Sequence, residues 1–421
     1  MSELDSRFTF TRSTTATYID SSGYVATMAA AATNDPTKAR LDYNPTTLAP
    51  SGLLIEGAAT NLTKRSDNAF TNTYWNDTGN NTTAVDSAVT SPTGVALTAS
   101  TLTENAGASL TRHIHQTVGE FTPTVSTSYT MSAWVKQPAS AAVRYVQLAF
   151  WTAGFGATAY MNFDIQAGTV GTGGAGITAS SITAYPSGWY RITATAPATA
   201  TGSSGFQLGF STTSSAVRTE SYTVSGGSEK AIYLWGAQVE TGTGASSYIP
   251  TTTAQVTKAA DFCKMTEAAS QMAWLQKIDT CTFLVDFAPL TQRGAFNILM
   301  RFSTTTLQGY EFYVYDTTAG VSLTTTSKIT ASTNQEQTLA QNMTLNSRHK
   351  VAYSIDATTG LRSHNGSTIS AANPIALPTG TRSTFGIGSS GLDLGAMSGW
   401  ISAIKYYPTA LTQAQINVLT T

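Results

Sequence analysis

Charge is what this sequence has least of. Only 11% of its 421 residues are charged, in near balance at 24 acidic and 23 basic, for a formal net charge of −1. The usual charged share is about 25%. A nucleic-acid interface needs a basic patch, and none is visible, so no nucleic-acid partner is expected. With so few charges to keep it dispersed, much of the surface is expected to be covered by neighbouring subunits. Two cysteines, Cys263 and Cys281, are too few for a disulfide framework or a four-ligand zinc site and are expected to be buried thiols. No apolar run reaches the roughly 18 residues of a membrane span, so no membrane insertion is expected. The first residues, MSELDSRFTFTRS, lack the charged-then-apolar pattern of an export signal, which predicts synthesis without export.

Catalytic signatures are equally scarce. No Gly-x-Ser-x-Gly elbow, phosphate loop or dinucleotide fingerprint occurs, which excludes the motif-bearing hydrolase and nucleotide enzymes. Glycoside hydrolysis needs two carboxylates at a set separation. The Glu-x-Asp-x-x-Glu strand pattern of concanavalin-like glucanases is missing, and Glu311 and Asp316 sit five apart, on opposite sides of a straight strand. No enzymatic activity and no cofactor are expected.

What the chain does contain is alternation. In 129–136, Tyr129, Met131, Ala133 and Val135 share one strand face, and Thr130, Ser132, Trp134 and Lys136 the other. Val146, Leu148 and Phe150 form another inner face, as do Met161, Phe163 and Ile165, and Phe206, Leu208 and Phe210. In 231–250, AIYLWGAQVETGTGASSYIP, Tyr233, Trp235, Ala237 and Val239 alternate, Ile232 and Leu234 make the second face apolar, and Gly236 suggests a bulge. The glycine-rich run 168–176 reads as a loop. Further on, Phe283, Val285 and Phe287 alternate with Thr282, Leu284 and Asp286. Residues 400–407 form a last strand before a short helix, with Thr412 and Gln415 as its capping box. Short strands at regular spacing with Gly, Pro and Ser turns are the pattern of antiparallel sandwiches. The fold expected is all-β: two antiparallel β-sandwiches over 63–258 and 259–421, behind an extended N-terminal docking arm, 1–62.

Two segments add a resemblance. ARLDYNPTTLAPSGLLIEGAATNL (39–62) and AIYLWGAQVETGTGASSYIP (231–250) resemble segments of bacteriophage virion proteins, where they flank a jelly-roll similar to a carbohydrate-binding module. One departure is Gly57-Ala-Ala, where that family often carries an acidic residue and an arginine, so the arginine's salt bridge has no counterpart here. HKVAYSID and GWISAIKYYPTALTQAQI resemble the concanavalin-like sandwich of laminin-G type. The resemblance implies a non-enzymatic structural protein on the virion surface, a tail fibre, head fibre or capsid decoration, made in the host bacterial cytoplasm. It implies a homotrimer, contact with other virion proteins through 1–62, and lectin-like domains facing host-surface glycans. A pure assembly or cement protein without sugar binding is the alternative, and a glycan-degrading enzyme a more distant one.

A sugar ring offers apolar C–H faces and polar edges, so it is met by an exposed aromatic with hydrogen-bonding neighbours. Trp134, flanked on its face by Thr130, Ser132 and Lys136, is the strand candidate; Trp151 and Phe155 beside Gly154, and Trp75 with Tyr74, are loop candidates. Each has core packing or an interface as its plainer reading. His113 and His115 share a strand face; the resemblance to trimeric fibres, where such a pair can hold a metal ion, makes them weak metal candidates beside two ordinary surface histidines. Asp393 is nominated for a rim cation only by the laminin-G resemblance.

Overall fold

The computed structural model describes residues 7–32, 35–67, 70–71, 73–76, 81–116, 120–138, 145–266, 280–290, 296–304, 309–317, 320–328, 334–356, 359–369, 382–388 and 397–421. Among these, two six-stranded and two seven-stranded antiparallel sheets dominate. The all-β expectation of two sandwiches is met.

The first sandwich places the strands Thr169–Gly173, Tyr160–Asp164, Tyr145–Ala149, Gln207–Ser211, His113–Gln116 and Trp75–Asn76 in one sheet. The other sheet runs Ala179–Ala184, Tyr190–Pro197, Ser128–Lys136, Ala231–Thr241, Ala99–Glu104 and Thr82–Val89. Period-two alternation puts Met131, Val135, Leu148, Phe163, Leu208 and Leu234 into one core between them.

In the second sandwich, the sheet carrying Cys281–Pro289 continues through Gly399–Tyr407 to Pro50–Ile55 and Arg40–Tyr43. The facing sheet ends on Phe262–Thr266 and Thr9–Thr11. Within 1–62, the strands Thr9–Thr11, Arg40–Tyr43 and Pro50–Ile55 are therefore not an arm standing ahead of the sandwiches: they supply edge strands to both sheets of the C-terminal one, while Ala16–Ile19 and Val25–Met28 pair with each other. The physical reason is backbone pairing. Without Leu53, Leu54 and Ile55 opposite Ile401, Trp400 and Gly399, the last strand would present an unpaired edge. Phe10, Leu53 and Ile55 also enter that sandwich's apolar core, with Phe283, Val285 and Phe287. Leu284, on the opposite side of its strand, packs under Ile416 of the helix Gln413–Leu419, whose Thr412–Gln415 capping box forms as expected. Cys263 and Cys281 are both fully buried, as expected.

Two local expectations are corrected. The strand Ala231–Thr241 does not keep one alternation. Gly236 adopts φ +66 and the pairing with Ser128–Lys136 slips between Ser132 and Trp134, the signature of a bulge. The extra residue switches faces: Ile232, Leu234, Ala237 and Val239 all enter the jelly-roll core, while Tyr233 and Trp235 lie on the outer side. The apolar face of Ile232 and Leu234 is thus covered within the chain and leaves nothing for a partner subunit. Only glycine fits at the bulge, because a Cβ on residue 236 would lie 2.7 Å from Trp134 Cε3. The glycine-rich run, expected as a loop, contains the edge strand Thr169–Gly173. Its glycines serve close packing, since a Cβ on Gly171 would lie 2.3 Å from the Ser214 carbonyl.

Candidate functional site

The outer face of the sheet carrying Trp134 meets the N-terminal strands and the second sandwich, and buried charge joins the three. Arg40 donates from Nη1 to Glu56 Oε2 at 2.8 Å and from Nη2 to Asp261. Arg12 donates to the other Asp261 oxygen at 3.0 Å, and Lys258 Nζ lies 3.6 Å from Glu56. All five side chains are at most 1% exposed. Burial alone would raise the Glu56 pKa, but Lys258, Arg40 and donors from Ser247 outweigh it and hold the carboxyl well below its ordinary range. Ser247 donates to Glu56 from both its amide, at 2.7 Å, and its hydroxyl, at 2.6 Å.

This junction is where the segments 39–62 and 231–250 meet. Asn61, from the first, donates to the Ile249 carbonyl at 2.9 Å and accepts from Val239 N–H at 3.2 Å. Within the second, Glu240 accepts from the Ser246 amide and hydroxyl at 2.6 and 2.7 Å, and Gln238 accepts from Ile249 N–H at 2.8 Å. Arg40, Glu56, Asn61, Gln238, Glu240 and Ser246 are all buried. The polar letters of these motifs therefore encode a lock between segments distant in sequence. Gly57 places no acidic side chain there, and Glu56 finds its cations in Arg40 and Lys258 instead.

Above the lock opens a cleft of about 640 Å³. Its walls come from Tyr18, Asp42 and Tyr43, from the sheet residues Ser181, Thr183, Tyr185 and Arg191, from the 243–248 return, and from Arg348 and Trp400. Trp134 forms its inner end. Asp42 is 3% exposed and accepts from Ile19 N–H and, at 2.6 Å, from Trp400 Nε1. Burial pushes its pKa up to about 6, against the lowering by those two donors and Arg40. Arg191 lies across the strand pair from Trp134, its guanidinium carbon 4.3 Å from the ring centroid. Its Nη2 donates to Ser132 Oγ at 3.1 Å and to the Ser246 carbonyl at 2.8 Å.

Among the aromatic residues expected to meet sugar, three are interior. Trp134 is 1% exposed, enclosed by Trp235, Tyr248 and Tyr185 at ring separations of 5.2, 5.7 and 5.7 Å. Alternation placed it on the correct face, but the 243–248 return covers that face. Phe155 is buried against Phe150 and Tyr129, and Trp75 against Phe70 and Phe206. Tyr74 is half-buried with the Lys64 ammonium 5.3 Å from its ring centroid. Trp151 is half-buried and packs edge-on against His115 at 4.9 Å. None of Trp151, Phe155, Trp75 and Tyr74 lines the cleft.

His113 and His115 do lie side by side, with ring centroids 5.5 Å apart. Burial, then His115, lowers the His113 pKa to about 4, and burial lowers that of His115. The His115 Nδ1 lies 2.6 Å from the Gln116 carbonyl. Among the described residues no third His, Cys, Asp or Glu joins them as a metal-binding group. Asp393, and the side chains of Glu311 and Asp316, lie outside the described residues. Asp42, Tyr43, Arg191 and Trp400 are cleft residues not nominated as site residues from the sequence, although Asp42, Tyr43 and Trp400 fall in segments quoted for their resemblance.

No protein-family model matches the chain, and no curated protein matches it. Solved structures with partial likeness include the CBM40 module of a Ruminococcus gnavus sialidase, at 12% identity and TM-score 0.32, over 37% of this chain and 91% of that one. A heptameric SAP-like pentraxin from Limulus polyphemus aligns at 16% identity and TM-score 0.29, over 34% and 70%. Domain 4 of a GH43 extracellular arabinanase from Geobacillus stearothermophilus aligns at 13% identity and TM-score 0.30, over 42% and 82%. At these scores the likeness carries nothing about ligand or role.

Proposed function

We propose that the protein is a non-enzymatic surface component of a bacteriophage particle whose junction cleft binds saccharide. The observation that carries the sugar part is the cleft itself: half-exposed Tyr18, Tyr43, Tyr185 and Trp400 beside serine and threonine hydroxyls, two guanidinium groups and two carboxyls. That mixture suits a ring with apolar faces and polar edges. The particle part is supported by the phage-like segments 39–62 and 231–250, and by a surface with few charges.

The non-enzymatic reading is supported by the two cleft carboxyls. A raised Asp42 beside an ionised Glu56 has the electrostatic form of an acid and base pair, but hydrogen bonds occupy both oxygens of each. Both are also buried, Asp42 at 3% and Glu56 at 1% exposure, which counts against direct contact with a sugar carbon or leaving group. An assembly protein without sugar binding is the second reading, favoured by the burial of Trp134, Phe155 and Trp75.

A glycan array separates the two. Wild-type protein is expected to bind a subset of glycans, and Tyr43→Ala, checked for an unchanged unfolding midpoint, to lose about tenfold in affinity. An array without binding sinks the saccharide reading. Gold-labelled antibody on intact virions tests the particle reading, and particles without label sink it.

A further inference from the structure

Four charged residues line the cleft, and two are ion-paired. Glu56 is paired with Arg40 and Lys258. Arg348 makes a two-point contact with Asp286 at 2.6 and 2.8 Å. Asp42 accepts from two neutral donors, the Ile19 amide and Trp400 Nε1. Arg191 differs: among the described residues no carboxylate lies within salt-bridge distance of it. Its Nη2 is spent on Ser132 and Ser246, its neighbour Tyr185 offers a hydroxyl, and its Nε has no partner.

A second observation points the same way. Trp134 is 1% exposed, lines the same cleft, and its Nε1 is a buried donor without an acceptor. Buried donors are ordinarily satisfied. Both vacancies call for acceptor oxygens, and the guanidinium calls for negative charge. A carboxylate supplies acceptor oxygens and negative charge together, which a neutral sugar hydroxyl does not. The stacked Trp134 ring holds the guanidinium plane in place.

Resting on the saccharide reading above, we propose that the cleft selects carboxylate-bearing saccharides, uronic or sialic acid polymers, with Arg191 as the charge anchor. The hydroxyls of Ser181 and Thr183 then meet the sugar edges. Ser181 Oγ already lies 2.7 Å from Thr193 Oγ1, one link of a hydroxyl row across the sheet.

The test uses the full chain and matched probes. Oligogalacturonate and oligosialate are titrated beside their carboxyl-reduced forms, at low and at 0.5 M salt, by calorimetry. Wild-type protein is expected to bind at least one acid form tenfold or more above its reduced partner, with the preference shrinking in high salt. Arg191→Gln is expected to erase the preference, read as the ratio of acid-form to reduced-form affinity. Equal affinity for each acid and its reduced form overturns the inference and leaves the saccharide reading standing. A preference that survives Arg191→Gln in a folded protein overturns the role of Arg191. Failure of all four probes on a protein whose array shows neutral glycans overturns the inference alone. Failure there together with an empty array overturns both.

Discussion

Leu148 in the jelly-roll interior and Asp261 at the junction are equally hidden from water, each 0% exposed. Around Leu148 the neighbours are Met131, Phe163 and Leu208, brought together by strands that each repeat every second residue. Around Asp261 they are Arg12, Arg40 and the Glu56 amide, drawn from three stretches up to 249 residues apart. The interior depends on volume, and its contacts are many and individually weak. The junction depends on matched charge, so removing one partner strands another in a medium that cannot solvate it.

That contrast predicts the largest effect at the junction. Asp261→Ala leaves two buried guanidinium groups without their shared carboxylate and is expected to lower stability by about 4 kcal/mol, read from the urea midpoint and slope. A loss below about 1 kcal/mol would show that water enters the junction and that the contrast is one of geometry only. Leu148→Ala, by the same measurement, is expected to lower stability by about 3 kcal/mol through lost contacts and a residual cavity.

The smallest effect is the most selective, because it concerns pH. Asp42 has a folded pKa of about 6, above its ordinary 3.8, so between those values the folded state holds more protons than the unfolded. Stability from this group is therefore greatest at low pH and falls as pH rises through 6, by about 1 kcal/mol between pH 5 and 7.5. Glu56 has the opposite sign, since its folded pKa is depressed; its contribution is lost only as pH falls below the ordinary carboxylate range. Denaturant titrations between pH 5 and 7.5 are expected to show a downward slope in wild type that flattens in Asp42→Asn. An equal slope in both proteins would place its origin elsewhere.

Strand alternation was legible over most of the chain because each strand has one face on an apolar core, and that constraint writes itself into neighbouring letters. Met131, Leu148, Phe163 and Phe283 were assigned to inner faces and lie there. Trp134 was also placed on the correct face, yet whether that face met solvent depended on residues 243–248, more than a hundred positions away. The cleft was not legible for the same reason. Asp42, Arg191, Arg348 and Trp400 obey no common spacing and become neighbours only when the junction closes.

The sequence by itself determined the fold class, the two apolar cores, the capping box of the final helix and the glycine at residue 236, each dictated by contacts or dihedral angles local to a strand or turn. Tertiary structure alone decided that the strands Thr9–Thr11, Arg40–Tyr43 and Pro50–Ile55 complete the second sandwich. It also decided that the bulge at Gly236 switches the alternation, and that Arg191 reaches the cleft without a carboxylate partner. Pairing of sheet edges and compensation of buried charge are relations between distant segments, and no local pattern encodes them.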